Sequence, residues 1–547
     1  MPAKSKTLRP ETPGARDSEA DGHGKTGTAE QREFFSDYYV RTRVARPLPC
    51  DLDETNLPGY RRLDPTWQDR QRVSQRVTLE SRRSLGGAPG IHSIGFAMIE
   101  TIQRVNAVVN GYVWGWPMIL LLMGTGLLLT VLTGVVQVRR LGFALTEVLG
   151  KLTKHGGGTG SVRPFQAVAT ALASTVGVGN IAGVATAISI GGPGSVFWLW
   201  LSGLFGMATK YAEIVVALHY REPDDSGAMR GGAMYVLKKG LGLPWLGAVF
   251  ALLTSVAAFG IGNMVQANSV ADALRATFGI ATSTTGIGLV VLAAVVILGG
   301  IKSIARVTEW LVPFMAILYL SGGLIVLVIY AGELPHALGL IVDGAFTGSA
   351  AVGGFAGSTI MMAMRYGIAR GLFSNEAGLG SAPMVHAAAD TDHPVRQGMY
   401  GIFEVFVDTI LICSTTALVI MVTGAWDSGL TGAALSAKAF EVGLPGTFGD
   451  VVVTGGLLMF AFSTLIGWSY YGETGIVYLL GTKAALPYRL LWLVFVYLGA
   501  TGSLHLVWDV ADTLNGLMAI PNLIGVLVSI PLLLRLQKEF FSRPPGR

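Results

Sequence analysis

The residues best suited to chemistry lie within an apolar stretch, residues 171–194, which reads ALASTVGVGNIAGVATAISIGGPG. The stretch is long enough to cross a bilayer, yet Gly177, Gly179, Asn180 and Gly183 interrupt its centre. Inside a membrane, the backbone groups freed by such a break must be satisfied by protein, a bound ion or a substrate. Free carbonyl oxygens can coordinate a cation, and the N–H groups of the following half-helix can hold a carboxylate. One broken helix of this kind can therefore bind both ends of a zwitterion.

The same glycines have two other interpretations. Small residues at such spacings also favour close packing between helices, and this stretch alone does not separate packing from binding. A dinucleotide-binding turn is disfavoured, because no strand precedes the glycines and the GxGxxG spacing is not met.

A second apolar segment has the same kind of polar, glycine-rich centre. Residues 367–383 read GIARGLFSNEAGLGSAP and include Ser374, Asn375 and Glu376. When the first stretch is counted as core helix 1, this one is core helix 6, so the two take corresponding positions in two halves of five helices. An odd number of helices inverts the second half, which predicts an inverted repeat with its site where the two broken helices face each other.

The composition is that of a multi-spanning, all-α membrane protein. Of the 547 residues, 51% are hydrophobic and 14% are charged, and the mean hydropathy is +0.53. The net charge of +5 is assigned to membrane topology and the N-terminal tail, so nucleic acid is not expected as a partner. The two cysteines, Cys50 and Cys413, provide neither a disulfide framework nor a metal site.

The chain divides into four parts. Residues 1–92 are polar, rich in Arg, Asp, Pro and Gly, and are predicted to be a disordered tail, which a translation start at Met98 would remove. Residues 93–110 have apolar side chains at helical spacing and predict an amphipathic helix in the membrane interface. Residues 112–537 form the predicted transmembrane transporter domain, and residues 538–547 a cytoplasmic C-terminal tail.

Eleven transmembrane segments are predicted, one leading helix and ten core helices. They lie near residues 112–137, 165–191, 195–219, 246–276, 284–300, 309–331, 353–380, 397–423, 449–480, 487–503 and 510–535.

The distribution of Lys and Arg predicts the orientation. One set of loops and ends contains Arg139, Arg140, Lys151, Lys154, Arg163, Lys210, Arg221, Arg230, Lys238, Lys239, Lys302, Arg306, Arg396, Lys483, Arg489, Arg535, Lys538, Arg543 and Arg547. The other set has only Arg275 and Lys438. The positive-inside rule therefore predicts a multi-pass protein of the cell (inner) membrane with its C-terminus in the cytoplasm and its N-terminus outside.

Several polar residues lie inside the apolar segments. Gln266 and Asn268 are on core helix 3, and Asp408 is on core helix 7. A carboxylate near the bilayer centre costs about 2.5 to 3.5 kcal/mol on insertion scales, so Glu376 and Asp408 are expected either to face the bundle interior or to be neutralised. A hydrogen bond between helices, with no ligand, is the alternative role for each.

Further charged and titratable residues are expected to be structural. Lys210 and Glu213, within one turn on core helix 2, are predicted to pair at its cytoplasmic end. His386 and His393 lie in a predicted loop and are expected to be solvated.

On these residues the chain resembles the alanine/glycine:cation symporter family, from about Trp114 to Leu534. The motifs that carry the resemblance are PFQAVATALASTVGVGNIAGVATAISIGGPG, FGMATKYAEIVVALHYRE, GIKSIARVTEWLVPFMA, RYGIARGLFSNEAGLGSAP and FSTLIGWSYYGE. The resemblance implies a leucine-transporter-like fold of five plus five inverted helices, and uptake of alanine or glycine coupled to Na⁺ or H⁺.

The resemblance also implies a role for individual residues. Backbone N–H groups would receive the substrate carboxylate, and side chains from three other helices would complete the pocket; the substrate residues are Val178, Gly179, Asn180, Gln266, Phe373, Ser374, Asn375, Thr464 and Trp468. The implied cation ligands are Ala173, Thr175, Val176, Asn180, Ser463 and Thr464. Na⁺ is the expected coupling ion, and no organic cofactor is expected.

Other classes of function remain as alternatives. A channel would need a continuous polar pore, and an amino-acid sensor would bind without transport. An enzyme is not expected, because the eight histidines show neither HExxH nor another paired-ligand spacing. The sequence leaves several properties open. They are the choice of substrate among alanine, glycine and serine, the preference for D or L forms, the choice between Na⁺ and H⁺ as coupling ion, the stoichiometry and the oligomeric state.

Overall fold

The computed structural model describes residues 91–154, 156–347, 360–446, 448–502 and 505–542. The predicted tail over residues 1–92 lies outside the described residues except for its last two. Residues 353–359 of predicted core helix 6 and residues 543–547 of the predicted C-terminal tail also lie outside them. The part of the chain that is described is helical, apart from one short antiparallel pair of strands, β1 (Glu222–Pro223) and β2 (Met229–Arg230), and a single bridge between Val162 and Ala389.

The helices follow one another along the chain with short connections. The first group is α1 (Ile91–Val113), α2 (Trp116–Leu132), α3 (Val136–Arg139), α4 (Leu141–Gly150), α5 (Pro164–Thr175), α6 (Val184–Gly191), α7 (Ser195–His219) and α8 (Ala233–Tyr235). The second group is α9 (Pro244–Ala258), α10 (Val265–Phe278), α11 (Thr282–Ile297), α12 (Gly300–Ile329), α13 (Leu334–Phe346), α14 (Ile360–Asn375) and α15 (Pro383–His386). The last group is α16 (Pro394–Val405), α17 (Ser414–Val422), α18 (Gly432–Gly443), α19 (Phe448–Leu480), α20 (Ala485–Thr501), α21 (His505–Val528) and α22 (Ile530–Ser542).

Wider π turns and short 3₁₀ turns join several of these helices. The π turns are Gly179–Gly183, Val236–Gly240, Phe259–Met264 and Phe406–Cys413. The 3₁₀ turns are Ala331–Glu333, Ala425–Asp427 and Thr482–Ala484. Such π segments often occur at functional sites, and three of them lie in helices that carry predicted site residues or Asp408.

Local sequence explains where many of these helices begin and end. Proline is the first residue of α5, α9, α15 and α16, where its fixed φ suits a helix and its missing N–H costs nothing. Gly279 closes α10 in the left-handed conformation, with φ of +68° and its N–H donating to the Arg275 carbonyl. A side chain at this position would be strained, so glycine allows the helix to stop there.

Eight helices in the described ranges are long and apolar enough to cross a membrane, or nine if the bent pair α5 and α6 is one span. The leading helix and core helices 2, 3, 5, 7, 8, 9 and 10 are thereby confirmed as apolar helices of spanning length. Core helix 4 corresponds to α11, which has only 16 residues, and core helix 6 corresponds to α14, also of 16 residues. The count of eleven spans stays a prediction.

Two predicted boundaries are wrong or incomplete. The last predicted segment, residues 510–535, is two helices, because α21 ends at Val528 and α22 begins at Ile530. The predicted C-terminal tail begins inside α22. Residues 93–110 are helical, as part of α1, and their placement in the membrane interface stays a prediction.

The outer surface of the bundle is apolar. Val295 and Trp310 are 77% and 78% exposed, and many other large apolar side chains face outward. A contiguous apolar surface of this kind is unfavourable in water and suits contact with lipid tails. The bundle interior holds the polar side chains, including Asn180, Glu376 and Asp408, as expected for costly groups in a membrane.

Candidate substrate-binding site

The first predicted break is present between α5 and α6. Helix α5 ends at Thr175, the first break comprises Val176–Val178, and the chain resumes with the π turn Gly179–Gly183. The two helical halves are bent by 51° relative to each other. The Val176 carbonyl oxygen accepts hydrogen bonds from the Ser463 and Thr464 hydroxyls at 3.5 and 3.3 Å. Polar groups of α19 therefore satisfy a carbonyl that the break has freed.

The second predicted break follows α14. Helix α14 ends at Asn375, and the second break, residues 376–382, is irregular up to α15. Glu376 has φ of +55°, a conformation uncommon for residues other than glycine. Its carboxylate accepts hydrogen bonds from the Ser381 hydroxyl and, at 2.8 Å, from the Trp468 indole. These two bonds hold the second break in its turned conformation.

The two broken helices contact each other directly, where the π turn after the first break meets the last turn of α14. A Cβ atom built on Gly179 would lie 3.4 Å from Cδ1 of Phe373 and 3.8 Å from Cα of Ser374. These are van der Waals distances, so no other part of the protein separates the π turn after the first break from the last turn of α14. We call this contact region the junction: Gly177–Asn180 together with Phe373 and Ser374.

Helices α10 and α19 close two further sides of the junction. A Cβ atom on Gly177 would lie 2.6 Å from the Thr464 hydroxyl oxygen and 3.6 Å from the Gln266 side-chain oxygen. The Gln266 amide nitrogen donates to the Ile261 carbonyl at 3.0 Å, which fixes the orientation of the side chain. Its oxygen is buried and accepts no hydrogen bond in the described structure. A buried acceptor without a donor is costly, so this oxygen is suited to a cationic ligand.

Asp408 connects both broken helices to the π turn Phe406–Cys413, which follows α16. Its carboxylate accepts from the Asn180 amide at 2.6 Å and from the Ser374 hydroxyl at 3.0 Å, and it also accepts from the Thr409 hydroxyl at 2.9 Å. Asn180 in turn accepts from the Gly177 N–H at 2.9 Å through its side-chain oxygen. From the sequence alone, two roles are open for Asp408: binding a ligand, or forming a hydrogen bond between helices. The structure shows a hydrogen-bonded clamp across the junction.

The structure brings most of the predicted site residues to the junction. Val178, Gly179, Asn180, Phe373 and Ser374 are part of the junction, and Gln266 and Thr464 lie against it. Ser463 and Thr464 bond to the Val176 carbonyl in the first break. Ala173 and Thr175 lie in the last turn of α5, where the Thr175 hydroxyl donates to the Ala171 carbonyl at 3.2 Å.

Two predicted substrate residues contact groups away from the first break. Asn375 donates to the Thr409 hydroxyl at 3.1 Å and accepts from the Ala377 N–H at 3.0 Å. Trp468 is buried, and its indole bonds to Glu376 while its Cβ packs against Gly262. Their roles in binding substrate stay predictions.

The predicted pairing of Lys210 with Glu213 is wrong. The Lys210 ammonium lies 3.1 Å from the Glu404 carboxylate, and both side chains are fully buried. Glu213 instead accepts from the Asn522 amide and, at 3.2 Å, from the Gly380 N–H in the second break. Tertiary contacts thus replace the neighbour that helical spacing suggested.

The prediction that His386 and His393 are solvated is also wrong. His386 belongs to α15 and is fully buried, with its ring nitrogens 3.2 Å from Glu404 and 2.9 Å from Gln397. His393 is 5% exposed and caps α16 by accepting from the Val395 N–H. The sequence signal that could have located this cluster is the presence of Lys210 and Glu404 inside apolar segments, where a charge requires a partner.

Ion pairs join helices to each other and to connecting segments. The Glu473 carboxylate of α19 contacts both Arg230 of β2, at 3.3 Å, and Arg489 of α20, at 2.6 Å. Arg163, which precedes α5, contacts Glu309 of α12 at 2.6 Å. All three arginines belong to the set that the charge distribution assigns to the cytoplasmic side.

The oxygen-rich junction suits a hard monovalent cation. Carbonyl and hydroxyl oxygens near the first break are the ligands that unwound transporter helices offer to Na⁺. The described residues contain no group of three or more His, Cys, Asp or Glu arranged to hold a metal ion.

Comparison with known proteins gives a consistent assignment. Residues 99–545 match the sequence profile of the sodium:alanine symporter family. The sodium/alanine symporter AgcS of Methanococcus maripaludis is 50% identical over 440 residues, which cover 79% of this chain and 95% of that protein. An uncharacterized transporter of Haemophilus influenzae is 46% identical over 446 residues, which cover 81% of this chain and 97% of that protein. A more distant relative, the probable sodium/glutamine symporter GlnT of Bacillus subtilis, is 36% identical over 436 residues, which cover 79% of this chain and 89% of that protein. The chain therefore belongs to the sodium:alanine symporter family and is a membrane transporter, not an enzyme.

Proposed function

We propose that this protein imports a small neutral amino acid, alanine or glycine, by symport with Na⁺. The observation that carries this proposal is the direct contact of two broken helices at the junction, beside a buried and unpartnered Gln266 oxygen. Backbone irregularity at membrane depth is tolerated where it lines a substrate or ion site. A junction used only for helix packing would leave the Gln266 oxygen without a reason to stay unsatisfied.

The first break supplies a site for the substrate carboxylate. The N–H groups of Val178 and Gly179 open the second half of the broken helix, where the helix dipole favours negative charge. The Asn180 N–H donates to the Gly177 carbonyl at 3.2 Å and would exchange that partner for the carboxylate. The substrate ammonium would bind the Gln266 oxygen, which lies beside Gly177 on the same break. The broken helix thereby holds the carboxylate end of the zwitterion, and α10 holds the ammonium end beside Gly177.

The cation would bind beside the same break. Ser463 and Thr464 now donate their hydroxyl hydrogens to the Val176 carbonyl. A Na⁺ ion near Val176 would be coordinated by that carbonyl and by both hydroxyl oxygens, whose hydrogens can rotate away. Carbonyls of Ala173 and Thr175, in the last turn of α5, would complete the set. The Asn180 oxygen could join it only by sharing or giving up its bond to the Gly177 N–H.

Coupling to a cation gives the transporter its driving force. An amino-acid zwitterion has no net charge, so the membrane potential alone does not accumulate it. Entry of one Na⁺ supplies about 2.3 kcal/mol from a membrane potential of 100 mV and about 1.4 kcal/mol from a tenfold Na⁺ concentration gradient. Together these permit accumulation of the amino acid by a factor of a few hundred, roughly.

We propose that Na⁺ orders the first break and thereby forms the carboxylate site. The Asp408 clamp then transmits this ordering from Asn180 on the first broken helix to Ser374 on the second. Helices of core positions 1, 2, 6 and 7 would rock against those of positions 3, 4, 8 and 9 to alternate access. The inverted five-plus-five repeat is part of this proposal, and the matching breaks after Thr175 and Asn375 support it.

Proton coupling is the alternative that a specific observation favours. Asp408 is a buried carboxylate in contact with both broken helices, so a proton taken up there would change the clamp directly.

We propose the cell membrane as the location, with the C-terminus in the cytoplasm. Arg163, Arg230 and Arg489, which pair with carboxylates, belong to the larger set of basic residues and support this orientation.

Uptake of radiolabelled alanine into proteoliposomes tests the proposal. Accumulation is expected under an inward Na⁺ gradient, and it should disappear when that gradient is abolished while a pH gradient is kept. Accumulation that followed only the pH gradient would replace Na⁺ by H⁺. Tight alanine binding without uptake would indicate a sensor, and current without saturation by alanine would indicate a channel.

A further inference from the structure

A small cavity lies where the C-terminal helix α22 packs against the turn between α2 and α3. We call it the basic cavity, and its volume is about 260 Å³. Pockets for drug-sized ligands begin at about 300 Å³. The basic cavity therefore suits a compact polar group better than a whole organic molecule.

Three cations line the basic cavity, and none of the described residues that line it is acidic. Arg139 ends α3, Arg140 follows it, and Lys538 lies on α22. The carboxylate next in sequence, Glu539, lies 4.0 Å from a ring nitrogen of His393. Like charges that are brought together repel each other, so the basic cavity attracts an anion.

The three cations form no ion pair with any residue that the structure describes. Arg139 donates a hydrogen bond to the neutral Gly134 carbonyl at 3.3 Å. The Arg140 guanidinium lies 4.2 Å from the centre of the Phe541 ring. This cation–π contact covers one face of the guanidinium and leaves the N–H groups at its edge available. Guanidinium and ammonium groups are the usual side-chain donors to phosphate in proteins.

Neutral contacts attach α22 to the rest of the bundle beside the basic cavity. The Gln537 amide donates to the Thr133 carbonyl at 2.9 Å, and its oxygen accepts from the Tyr211 hydroxyl at 3.1 Å. Phe541 packs edge to face against Phe143, with ring centres 6.2 Å apart. Within the described part of the chain, the charges of the basic cavity thus have no partner of opposite sign.

Exposed apolar side chains adjoin the basic cavity in the sequence. Leu132, Val135 and Val138 are 42%, 40% and 56% exposed, and each is next to a residue that lines the basic cavity. Exposed apolar side chains of a membrane protein suit contact with acyl chains. A molecule with an anionic head and apolar chains matches both surfaces, whereas a free anion matches only the basic cavity.

We propose that the basic cavity binds the headgroup phosphate of an anionic phospholipid, with Arg139, Arg140 and Lys538 around the phosphate and the acyl chains along Leu132 and Val135. These cations belong to the set that the positive-inside rule assigns to the cytoplasm, where the membrane leaflet carries anionic lipids. Basic pockets between helices at that surface bind lipid headgroups in other membrane proteins. The bound headgroup stabilises α22 on the bundle, and the site does not depend on which substrate is transported.

Hydrogen exchange of the full-length protein measures the effect where the lipid binds. The protein is placed in nanodiscs of phosphatidylglycerol or of phosphatidylcholine, whose phosphate is offset by a cation in the same headgroup. Phosphatidylglycerol is expected to slow amide exchange in α22 about tenfold relative to phosphatidylcholine. For the double variant Arg139→Gln with Lys538→Gln, we expect phosphatidylglycerol to bind about 30-fold more weakly, which removes the slowing. Arg140 is left unchanged because it also stacks on Phe541.

The matched control is the double variant Lys302→Gln with Arg306→Gln. It removes the same charge from two exposed residues of α12 that the positive-inside rule assigns to the same side. This control should keep the slowing by phosphatidylglycerol. In phosphatidylcholine, exchange in α22 should be equal for the wild type and both double variants.

Several results would overturn the assignment. Equal slowing in the wild type and in Arg139→Gln with Lys538→Gln would show that phosphatidylglycerol acts elsewhere, and loss of slowing in the control would show a general effect of surface charge. Faster exchange of Arg139→Gln with Lys538→Gln in phosphatidylcholine would show a structural role for these cations. Equal slowing by inorganic phosphate added to phosphatidylcholine nanodiscs would make the basic cavity a site for a soluble anion.

Discussion

Replacing Gly177 by alanine tests the geometry of the junction with the smallest possible change. The new methyl group would lie 2.6 Å from the Thr464 hydroxyl oxygen and 3.6 Å from the Gln266 oxygen. Ordinary contact begins near 3.4 Å, so either Thr464 or the first break must move by several tenths of an ångström. The same movement breaks the hydrogen bond from Thr464 to the Val176 carbonyl.

The magnitude follows from two contributions. Overpacking by one methyl group costs about 1–3 kcal/mol, and loss of a hydrogen bond costs about 0.5–1.5 kcal/mol. We expect their sum, about 1.5–4.5 kcal/mol, to weaken alanine binding by roughly 10- to 1500-fold, since each 1.4 kcal/mol is tenfold.

The matched control is Gly183→Ala in the same broken helix. A Cβ atom there would have only the Arg370 Cδ within reach, at 3.9 Å. Alanine also favours helix over glycine by about 0.5–1 kcal/mol, so this variant should bind alanine like the wild type and melt at an equal or slightly higher temperature. Equilibrium binding of radiolabelled alanine in Na⁺ measures both variants. Binding by Gly177→Ala within threefold of the wild type would refute the reasoning about the junction.

Three further substitutions test other parts of the account. Gln266→Leu removes the unpartnered oxygen and with it a hydrogen bond to the charged ammonium, worth about 1.5–3 kcal/mol. The Kd for alanine should therefore rise roughly 10- to 150-fold. An unchanged Kd would show that Gln266 does not bind the ammonium. Trp468→Ala is expected to admit larger side chains if the indole limits the pocket, and unchanged selectivity in competition with serine and glutamine would take Trp468 out of it. Lys210→Met leaves the buried Glu404 without the lysine cation and should destabilise the protein by about 3–5 kcal/mol. The double variant Lys210→Met with Glu404→Gln should recover part of the lost melting temperature. Equal melting temperatures for the single and the double variant would contradict the pairing.

The helices and both breaks could be predicted because their signals are local. The apolar run of α7 was placed at residues 195–219, the bounds that the helix has. Glycine and polar residues in the middle of an apolar segment are equally visible in sequence, since Gly177 or Ser374 has no favourable place in an uninterrupted lipid-facing helix. The resemblance to a known family then supplied the partners Gln266 and Thr464, which are distant in sequence.

The contacts that sequence reasoning missed depend on tertiary packing. Lys210 has Glu213 within one helical turn, but the fold places Glu404 nearer to its ammonium. His386 follows a proline in a segment without a long apolar run, so it resembled a loop residue, yet α15 is short and buried against α5 and α7. The interruption at Ser529 does have a local signal, because Pro531 is the second residue of α22, but the apolar pattern continues across it and obscured the boundary.

Determining the structure with alanine and Na⁺ bound tests the central claim most directly. We predict density for alanine at the junction, with its carboxylate on the N–H groups of Val178 to Asn180 and its ammonium on the Gln266 oxygen. We also predict an ion near the Val176 carbonyl and the hydroxyls of Ser463 and Thr464. Alanine bound elsewhere, with the junction closed by protein contacts alone, would contradict the account.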